Sequence, residues 1–276
     1  RAHVKVPIVT GDYPATAEAI EKQAELSPYG ITVILGEELS GLADSQILQL
    51  IDRGGAVFSR VAPEDKLRIV EIAKASGRVV AVTGDGINDA PALKRADIGV
   101  AMGKTGTDVA KDAAEIVLLD DSFDTLVSAI EQGRLTFHNI KKAARCALTD
   151  NAGELIIILI SLAAGTLFHI PMAITAIQIL AIDVIAEMFT ITALGWDKAQ
   201  HKLMQDMPRK LSDHIINRKA VREFIVFGLL SAALAYANYL FFFARQGLSP
   251  MYIDTSSPVY AQATILTYLT LVLCQF

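Results

Sequence analysis

The sequence has few cysteines, and the two it contains, Cys146 and Cys274, lie far apart in unrelated contexts. They form neither a disulfide framework nor the ligand spacing of a zinc site. Positive charge is not in excess, because the formal net charge is −5, which argues against a nucleic-acid partner. The first ten residues have no signal-peptide pattern and resemble a short strand. Internal repeats and low-complexity segments are also missing.

Hydrophobic residues make up 52% of the chain and are unevenly distributed. Up to about residue 120, short apolar runs alternate with segments of helical spacing. This alternation predicts a parallel sheet with helices on both faces. Strands are predicted at residues 4–9, 30–35, 56–59, 79–82, 98–101 and 116–119, and helices at 14–25, 44–52, 64–76 and 90–96. The first 122 residues are thus expected to form an α/β domain.

A long segment without proline, residues 123–168, follows this domain. Its amphipathic first part, 123–149, predicts a stalk helix, and its second part is almost wholly apolar. A helix needs about 20 apolar residues to cross a bilayer. The remaining sequence predicts a transmembrane domain, 150–276, with about four helices at 150–168, 171–194, 224–243 and 261–276.

Basic residues are concentrated in the loop at 196–222. They are Lys198, Lys202, Arg209, Lys210, Arg218, Lys219 and Arg222. Because positive loops stay on the cytoplasmic side, this loop is expected to lie on the same side as the α/β domain. The chain is therefore predicted to be an integral membrane protein, placed in the plasma membrane, with its α/β domain in the cytoplasm.

The most specific motif is VTGDGINDAPALKRADIGVAMG at residues 82–103. Asp85 and Asp89 directly follow an apolar strand, at the end where α/β sheets usually bind ligands. Two nearby carboxylates repel each other unless a cation lies between them, and hard oxygen ligands beside a phosphate suit Mg²⁺. Thr10 and Gly11 also follow a predicted strand and can donate to a phosphoryl oxygen, while Lys66 can neutralise phosphate charge.

Residues 82–103 resemble the hinge segment of P-type cation-pumping ATPases of the calcium and sodium–potassium type, members of the haloacid-dehalogenase superfamily. Thr10–Gly11–Asp12 followed by PATA resembles the second phosphate-site motif of that family, and FSR at 58–60 with Pro63 and Lys66 resembles the third. The resemblance implies a haloacid-dehalogenase-like domain followed by a helical transmembrane bundle, with ATP as substrate and Mg²⁺ as cofactor. It implies these site residues: Asp85 for Mg²⁺, Lys66, Thr10 and Gly11 for the phosphoryl group, and Asp12, Asn88 and Asp89 to complete the site.

The aspartate nucleophile of such pumps, in a DKTGT motif, is missing from this chain. GKTGT at 103–107 has a glycine in its place. The chain is therefore expected to be the C-terminal part of a pump, inactive alone, with ATP bound mainly by a nucleotide domain elsewhere in the pump polypeptide. One alternative is a non-catalytic membrane subunit or remnant. Another is a P-loop at 99–105, although its glycines are one residue too close together.

Polar residues within the predicted membrane helices indicate transport. Asn151 and Glu154 share one helix face, and Asp183 and Glu187 are four residues apart in the next helix. Each charged side chain in mid-membrane costs about 2.5–3.5 kcal/mol on insertion scales, so a bound cation is the expected compensation. The resemblance implies cation ligands at these four residues, since they fall where calcium and sodium–potassium pumps place them. The transported cation is expected to be Na⁺, K⁺, Ca²⁺ or H⁺. Thr190 stands where the calcium pump has a proline, which makes the local helix shape an open point.

Overall fold

The computed structural model describes residues 2–24, 30–198, 203–209 and 214–275. The chain divides into two compact units. The first extends to Gln132 and includes a short 3-10 turn at Leu203–Gln205, and the second begins at Gly133. The predicted element ends at Glu25 and Phe276, and the loop residues Lys202 and Lys210, lie outside the described residues.

The first unit has the predicted alternation of strands and helices. Its strands are β1 (Ile8–Val9), β2 (Thr32–Leu35), β3 (Ala56–Ser59), β4 (Ala81–Gly84), β5 (Ile98–Met102) and β6 (Ile116–Leu118). Its helices are α1 (Pro14–Ala24), α2 (Gly36–Leu39), α3 (Asp44–Arg53), α4 (Pro63–Ala75), α5 (Ala90–Arg95) and α6 (Asp108–Ala113). All pairings described between these strands are parallel, which confirms the α/β prediction.

The strands are not joined in a single sheet as the sequence suggested. Within the described ranges they form two three-stranded sheets, ordered β1-β3-β2 and β4-β5-β6. β3 is buried along its whole length because it is the central strand of its sheet, with Val57 and Phe58 fully enclosed. Ile47 of α3 and Ile69 of α4 are buried with this sheet. The packing fixes the start of α4, on which Lys66 lies.

The second unit is helical. It contains most of α7 (Phe123–Phe168), followed by α8 (Ala176–Ala181), a π-helix (Ile182–Glu187), α9 (Met188–Gly195), α10 (Arg218–Gln246) and α11 (Pro258–Gln275). α7 has the bounds predicted from the absence of proline. In the described part of the chain, three helical stretches are long and apolar enough to cross a membrane: Phe123–Phe168, Ala176–Gly195 and Arg218–Arg245. The fourth predicted span falls on α11, and its crossing stays a prediction, as do the exact domain boundaries.

Polar contacts connect the stalk part of α7 to the ends of neighbouring helices. The buried Asn139 amide donates to the carbonyls of Asp197, at 2.8 Å, and Gly195, at 3.3 Å. Lys142 Nζ pairs with the Asp197 carboxylate at 2.6 Å. These bonds satisfy carbonyls that the C-terminus of α9 leaves without helical partners. The positive charge of Lys142 is thus neutralised inside the second unit.

Two glycines allow α7 and α10 to approach closely. A Cβ at Gly228 would lie 2.9 Å from the backbone nitrogen of Gly153 and 3.0 Å from two atoms of Ala152. A Cβ at Gly153 would instead meet the Ser231 hydroxyl oxygen at 2.7 Å. Backbone atoms cannot turn away from an added methyl group, whereas a serine hydroxyl can rotate. The crossing therefore depends more strongly on Gly228.

We expect Gly228→Ala to destabilise the protein by about 1–3 kcal/mol through overpacking, and Gly153→Ala by less. Gly133→Ala is the control, because a Cβ there meets no atom within 4 Å and alanine favours a helix. Thermal unfolding in detergent measures the three effects. Equal midpoints for Gly228→Ala and Gly133→Ala would show that the two helices do not meet at this close crossing.

Candidate phosphate and cation sites

Asp89 organises the loop that follows β4. Its Oδ1 accepts a hydrogen bond from Lys66 Nζ at 2.7 Å. Its Oδ2 accepts from the backbone N–H of Gly86, at 3.1 Å, and of Asp85, at 3.3 Å. A Cβ at Gly84 would lie 2.5 Å from the Asp89 Cβ, so glycine is required where the loop begins. The Asp89 carboxylate thus fixes both the backbone of the loop after β4 and the side chain of Lys66.

Asp85 differs from Asp89 in having a carboxylate without a partner. Its backbone carbonyl accepts from Thr107 N–H at 2.9 Å, which anchors the residue. The residue is exposed, and its carboxylate has no hydrogen bond or ion pair within the described residues. Asn88 is exposed in the adjacent 3-10 turn, Ile87–Asp89. Of the two predicted acids, Asp85 is therefore the one whose oxygens can accept a metal ion.

The loop after β1 is held by backbone bonds to the loop between β3 and α4. Thr10 N–H donates to the carbonyl of Phe58 at 2.9 Å, and Val61 N–H donates to the carbonyl of Thr10 at 3.0 Å. The Thr10 hydroxyl oxygen accepts from Asp12 N–H at 3.1 Å, so its own proton can still be donated. Gly11 is exposed, with no atom near its missing Cβ. This loop therefore has a fixed geometry relative to the start of α4, the helix of Lys66.

The GKTGT segment at 103–107 does not form a phosphate cradle. The Asp121 carboxylate accepts from the backbone N–H of Lys104, at 2.9 Å, and of Thr105, at 2.8 Å, and from the Thr105 hydroxyl at 2.9 Å. Neither amide is free to hold a phosphate. The P-loop alternative is thus excluded by an acidic side chain that already fills the anion position.

The bond from Lys104 N–H, with those from Thr105, lowers the pKa of Asp121 from 3.8 to about 2. Because the folded pKa is depressed, the stabilisation is present above pH about 4 and is lost as the pH falls toward 2. We expect Asp121→Asn, which keeps the shape but removes the charge, to lower the hydrogen-exchange protection of the Lys104 and Thr105 amides at neutral pH. Asp108→Asn, at an almost fully exposed side chain, is the control. Unchanged protection in Asp121→Asn would contradict the assignment.

In the second unit, the polar residues of α7 meet those of the π-helix. Asn151 Nδ2 donates to Glu187 Oε1 at 3.3 Å and to the Ala147 carbonyl at 2.8 Å. Glu154, three residues further along the same helix, is only 5% exposed. Glu154 Oε1 and Asp183 Oδ1 are buried without a hydrogen-bond partner among the described residues. The four residues that the sequence singled out therefore lie together.

The π-helix is a feature that the sequence did not predict. Asp183 and Glu187 both lie on this turn, Ile182–Glu187, where helical spacing alone predicts a regular α-helix. The Thr190 hydroxyl donates to the carbonyl of Ala186, within the π-helix, at 2.9 Å. The helix therefore continues through Thr190: the π-helix leads directly into α9, and the Thr190 side chain bonds back to the π-helix. Such π turns occur frequently at functional sites.

One acid of this region was missed by the sequence analysis. Asp150 precedes Glu154 by four residues on α7, and its Oδ2 accepts a hydrogen bond from the Cys146 thiol at 3.5 Å. The signal that would have found it is the spacing of 150 and 154, which places both side chains on one helix face. In the described ranges, no three His, Cys, Asp or Glu side chains converge closely enough to enclose a metal ion. Within these ranges the acids therefore lie in an open arrangement.

Known proteins match the chain in both units. Residues 171–276 match the family described as cation transporting ATPase, C-terminus, and residues 1–97 and 67–130 each match a family of haloacid dehalogenase-like hydrolases. The chain is 39% identical over 276 residues to potassium-transporting ATPase alpha chain 2 of Oryctolagus cuniculus, across 90% of this chain and 25% of the relative.

Two other relatives bear different ion names. A calcium-transporting ATPase of Bacillus subtilis is 37% identical over 254 residues, across 92% of this chain and 28% of the relative. The sodium/potassium-transporting ATPase subunit alpha of Hydra vulgaris is 36% identical over 282 residues, across 91% of this chain and 27% of the relative. The chain spans about a quarter of the length of the curated relatives it matches.

Proposed function

The chain belongs to the P-type cation-transporting ATPases, and from this premise we propose that it supplies part of the phosphorylation site and the cation-binding helices of an ATP-driven pump. The pump would couple formation and hydrolysis of an aspartyl-phosphate to movement of a cation across a membrane. The observation that carries the proposal is the occurrence, in one chain, of the Lys66–Asp89 loop with the free Asp85 carboxylate and of the buried, unpartnered Glu154.

In the phosphorylation site, Asp85 would hold Mg²⁺, and the bonds to Asp89 and Thr107 fix the backbone of Asp85. The donor set fits this ion, because Mg²⁺ keeps several waters and usually binds one or two carboxylates plus a substrate phosphate. When bound, Mg²⁺ would neutralise negative charge on the phosphoryl oxygens. Lys66, held at 2.7 Å by Asp89, supplies a second positive charge.

The remaining residues of this site would orient the phosphoryl group. The Thr10 hydroxyl and the Gly11 N–H would donate to phosphoryl oxygens, and the exposed Gly11 lets a ligand approach the backbone. The Thr10 oxygen accepts from Asp12 N–H, which leaves the hydroxyl proton available for donation. Asn88, exposed in the adjacent turn, would complete the site. ATP would be the phosphoryl donor, bound mainly by a nucleotide domain in the remainder of the pump polypeptide.

In the membrane unit, Asn151, Glu154, Asp183 and Glu187 would bind the transported cation. A cation would offset the cost of several carboxylates in an apolar region and would draw the open arrangement together. The cation would be one of Na⁺, K⁺, Ca²⁺ or H⁺, and the mixed ion names of the relatives favour none of them. Three apolar helices and membrane ATPase relatives indicate a membrane protein. We place it in the plasma membrane with the first unit in the cytoplasm.

The proposal predicts cation-dependent transfer of phosphate from labelled ATP to the complete pump polypeptide. The chain of 276 residues alone, which contains no DKTGT motif, should neither hydrolyse ATP nor form an aspartyl-phosphate. Circular dichroism would verify that the chain alone retains its helices. Ion-stimulated ATP hydrolysis by this chain would contradict the assignment of its residues to a partial site. A complete polypeptide that binds ATP but never becomes phosphorylated would favour a non-catalytic membrane subunit.

A further inference from the structure

The chain between α7 and α8 runs back along α7 without forming a helix. α7 ends at Phe168, and α8 begins at Ala176. The Ala173 N–H donates to the Ser161 hydroxyl oxygen at 3.3 Å, and Ser161 lies seven residues before the end of α7. Seven helical residues correspond to about 10 Å of rise. This connecting segment, residues 169–175, therefore returns about two turns along the apolar part of α7 before the next helix starts.

Much of the connecting segment is buried. Ile170, Ala173 and Ile174 are all buried, and Ala173 is completely enclosed. At membrane depth, non-helical backbone is tolerated only where protein or enclosed water satisfies its N–H and C=O groups. The carbonyls of this segment therefore need donors from neighbouring elements.

Two tyrosines from α10 and α11 supply such donors. The Tyr239 hydroxyl donates to the carbonyl of Pro171 at 3.2 Å. The Tyr260 hydroxyl donates to the carbonyl of Met172 at 2.9 Å. Both tyrosines are buried within the second unit. Two consecutive carbonyls of the connecting segment are thus held by two different helices.

The start of the segment is held by the loop between α10 and α11. Tyr252 N–H donates to the carbonyl of His169 at 3.1 Å, and the two rings stack with their centroids 4.8 Å apart. The φ angles are 54° at His169 and 58° at Tyr252, a backbone conformation that non-glycine residues rarely adopt. Such conformations persist only when the surrounding structure determines them. The connecting segment therefore has a specific place and is not a slack link.

The connecting segment positions the helix that carries two of the candidate cation ligands. α8 begins at Ala176 and leads without interruption into the π-helix with Asp183 and Glu187. Glu187 accepts from Asn151 of α7 at 3.3 Å. A helix transmits an axial shift along its length, because its backbone bonds fix the rise per residue. A shift of the connecting segment would therefore move both carboxylates relative to α7.

Resting on the proposed function, we propose that Tyr239 and Tyr260 are positioning residues for cation binding. By holding two carbonyls of the connecting segment, their hydroxyls set the axial position of α8 and the π-helix against α7. Asp183 and Glu187 are thereby placed for a cation that they share with α7. The tyrosines act through the backbone of the segment and are not themselves ligands.

Tyr236 provides a matched control on the helix of Tyr239. Its ring stacks against that of Tyr239 with centroids 5.9 Å apart, and its hydroxyl is buried without a hydrogen-bond partner among the described residues. Tyr236→Phe, Tyr239→Phe and Tyr260→Phe therefore remove the same atom. Only the last two remove a bond to the connecting segment.

The first test measures the concentration of Na⁺, K⁺ or Ca²⁺, each added separately, that half-activates phosphorylation of the complete polypeptide. Tyr239→Phe and Tyr260→Phe should each raise this concentration about fivefold, the factor that one hydrogen bond contributes to an equilibrium, and leave maximal phosphorylation per folded protein unchanged. Tyr236→Phe should match the wild type. Less folded protein at an unchanged half-activating concentration would show that the two bonds only stabilise the fold, and would overturn the proposal.

The second test reads the helix position and needs no phosphorylation. Asn151→Cys and Glu187→Cys are combined in a complete polypeptide whose other cysteines are replaced by serine, and the pair is cross-linked with a short bifunctional methanethiosulfonate. Adding Tyr239→Phe or Tyr260→Phe should slow cross-linking about fivefold, again the factor of one hydrogen bond, whereas Tyr236→Phe should not. An equal rate in all variants would contradict the positioning role. If wild-type phosphorylation needs none of the three ions, the proposed function fails instead, so the two failures are distinguishable.

Discussion

Asp85→Asn in the complete pump polypeptide is expected to abolish phosphoenzyme formation or to raise its Mg²⁺ requirement sharply. The backbone of Asp85 is anchored by the bond from Thr107 N–H and by the donation of its own N–H to Asp89. The substitution should therefore leave the loop in place and remove only the charged oxygen. Since a bound metal contributes several kcal/mol of charge stabilisation, we expect a loss of at least about a hundredfold in phosphorylation rate.

The measurement is phosphate incorporation from labelled ATP across a Mg²⁺ series. Asp108→Asn makes the same chemical change at a side chain that is 99% exposed in the same unit. It should leave the Mg²⁺ dependence of phosphate incorporation unchanged. Normal phosphate incorporation by Asp85→Asn at low Mg²⁺ would contradict the assignment of Asp85 as the Mg²⁺ ligand. A loss equal to that of Asp89→Asn, accompanied by a lower melting temperature, would show that Asp85 acts only through loop structure.

The second large effect is expected in the membrane unit. Asp183→Asn and Glu187→Gln should each remove cation activation of phosphorylation, because these acids share the π-helix and Glu187 accepts from Asn151 on the helix of the buried Glu154. Loss of one charged ligand is expected to cost at least about tenfold in apparent cation affinity. Both substitutions keep a polar oxygen, and neither introduces a charge into the partly buried positions. Expression and folding should therefore persist.

The measurement is the ion concentration that half-activates phosphorylation, with correct folding verified by detergent-stable, monodisperse protein. Asp254→Asn is the control, since Asp254 lies between α10 and α11 and accepts from Ser256. Wild-type ion dependence in both Asp183→Asn and Glu187→Gln would reject the transport role and return these acids to a structural one.

Local sequence was sufficient for the long helix and for most of the α/β elements. α7 begins and ends where the proline-free segment predicted, because backbone bonding within a helix needs no distant partner. The edge strands were predicted less well: β1 has two residues where six were expected, and β4 starts two residues late. Strand bounds depend on which partner supplies hydrogen bonds, and an apolar run does not specify this partner.

The chemistry of the acids shows the same division between local sequence and tertiary structure. The sequence shows that Asp85 and Asp89 are close along the chain, but only the fold distinguishes them. Lys66 on α4 donates to the carboxylate of Asp89 and not to that of Asp85. Sequence also produced an apparent phosphate loop at 103–107. Asp121, well over ten residues away along the chain, fills that position through the fold.

By itself, then, the sequence determined the alternation of strands and helices, the long helix α7 and the identity of the acids, since these follow from composition and short-range spacing. Only the tertiary structure decided that the strands form two sheets, that Asp183 and Glu187 lie on a π turn, and that Glu154 Oε1 and Asp183 Oδ1 are buried without a partner among the described residues. The physical reason is that partner choice, burial and unsatisfied oxygens are set by residues brought together from distant parts of the chain. No spacing rule along one segment contains that information.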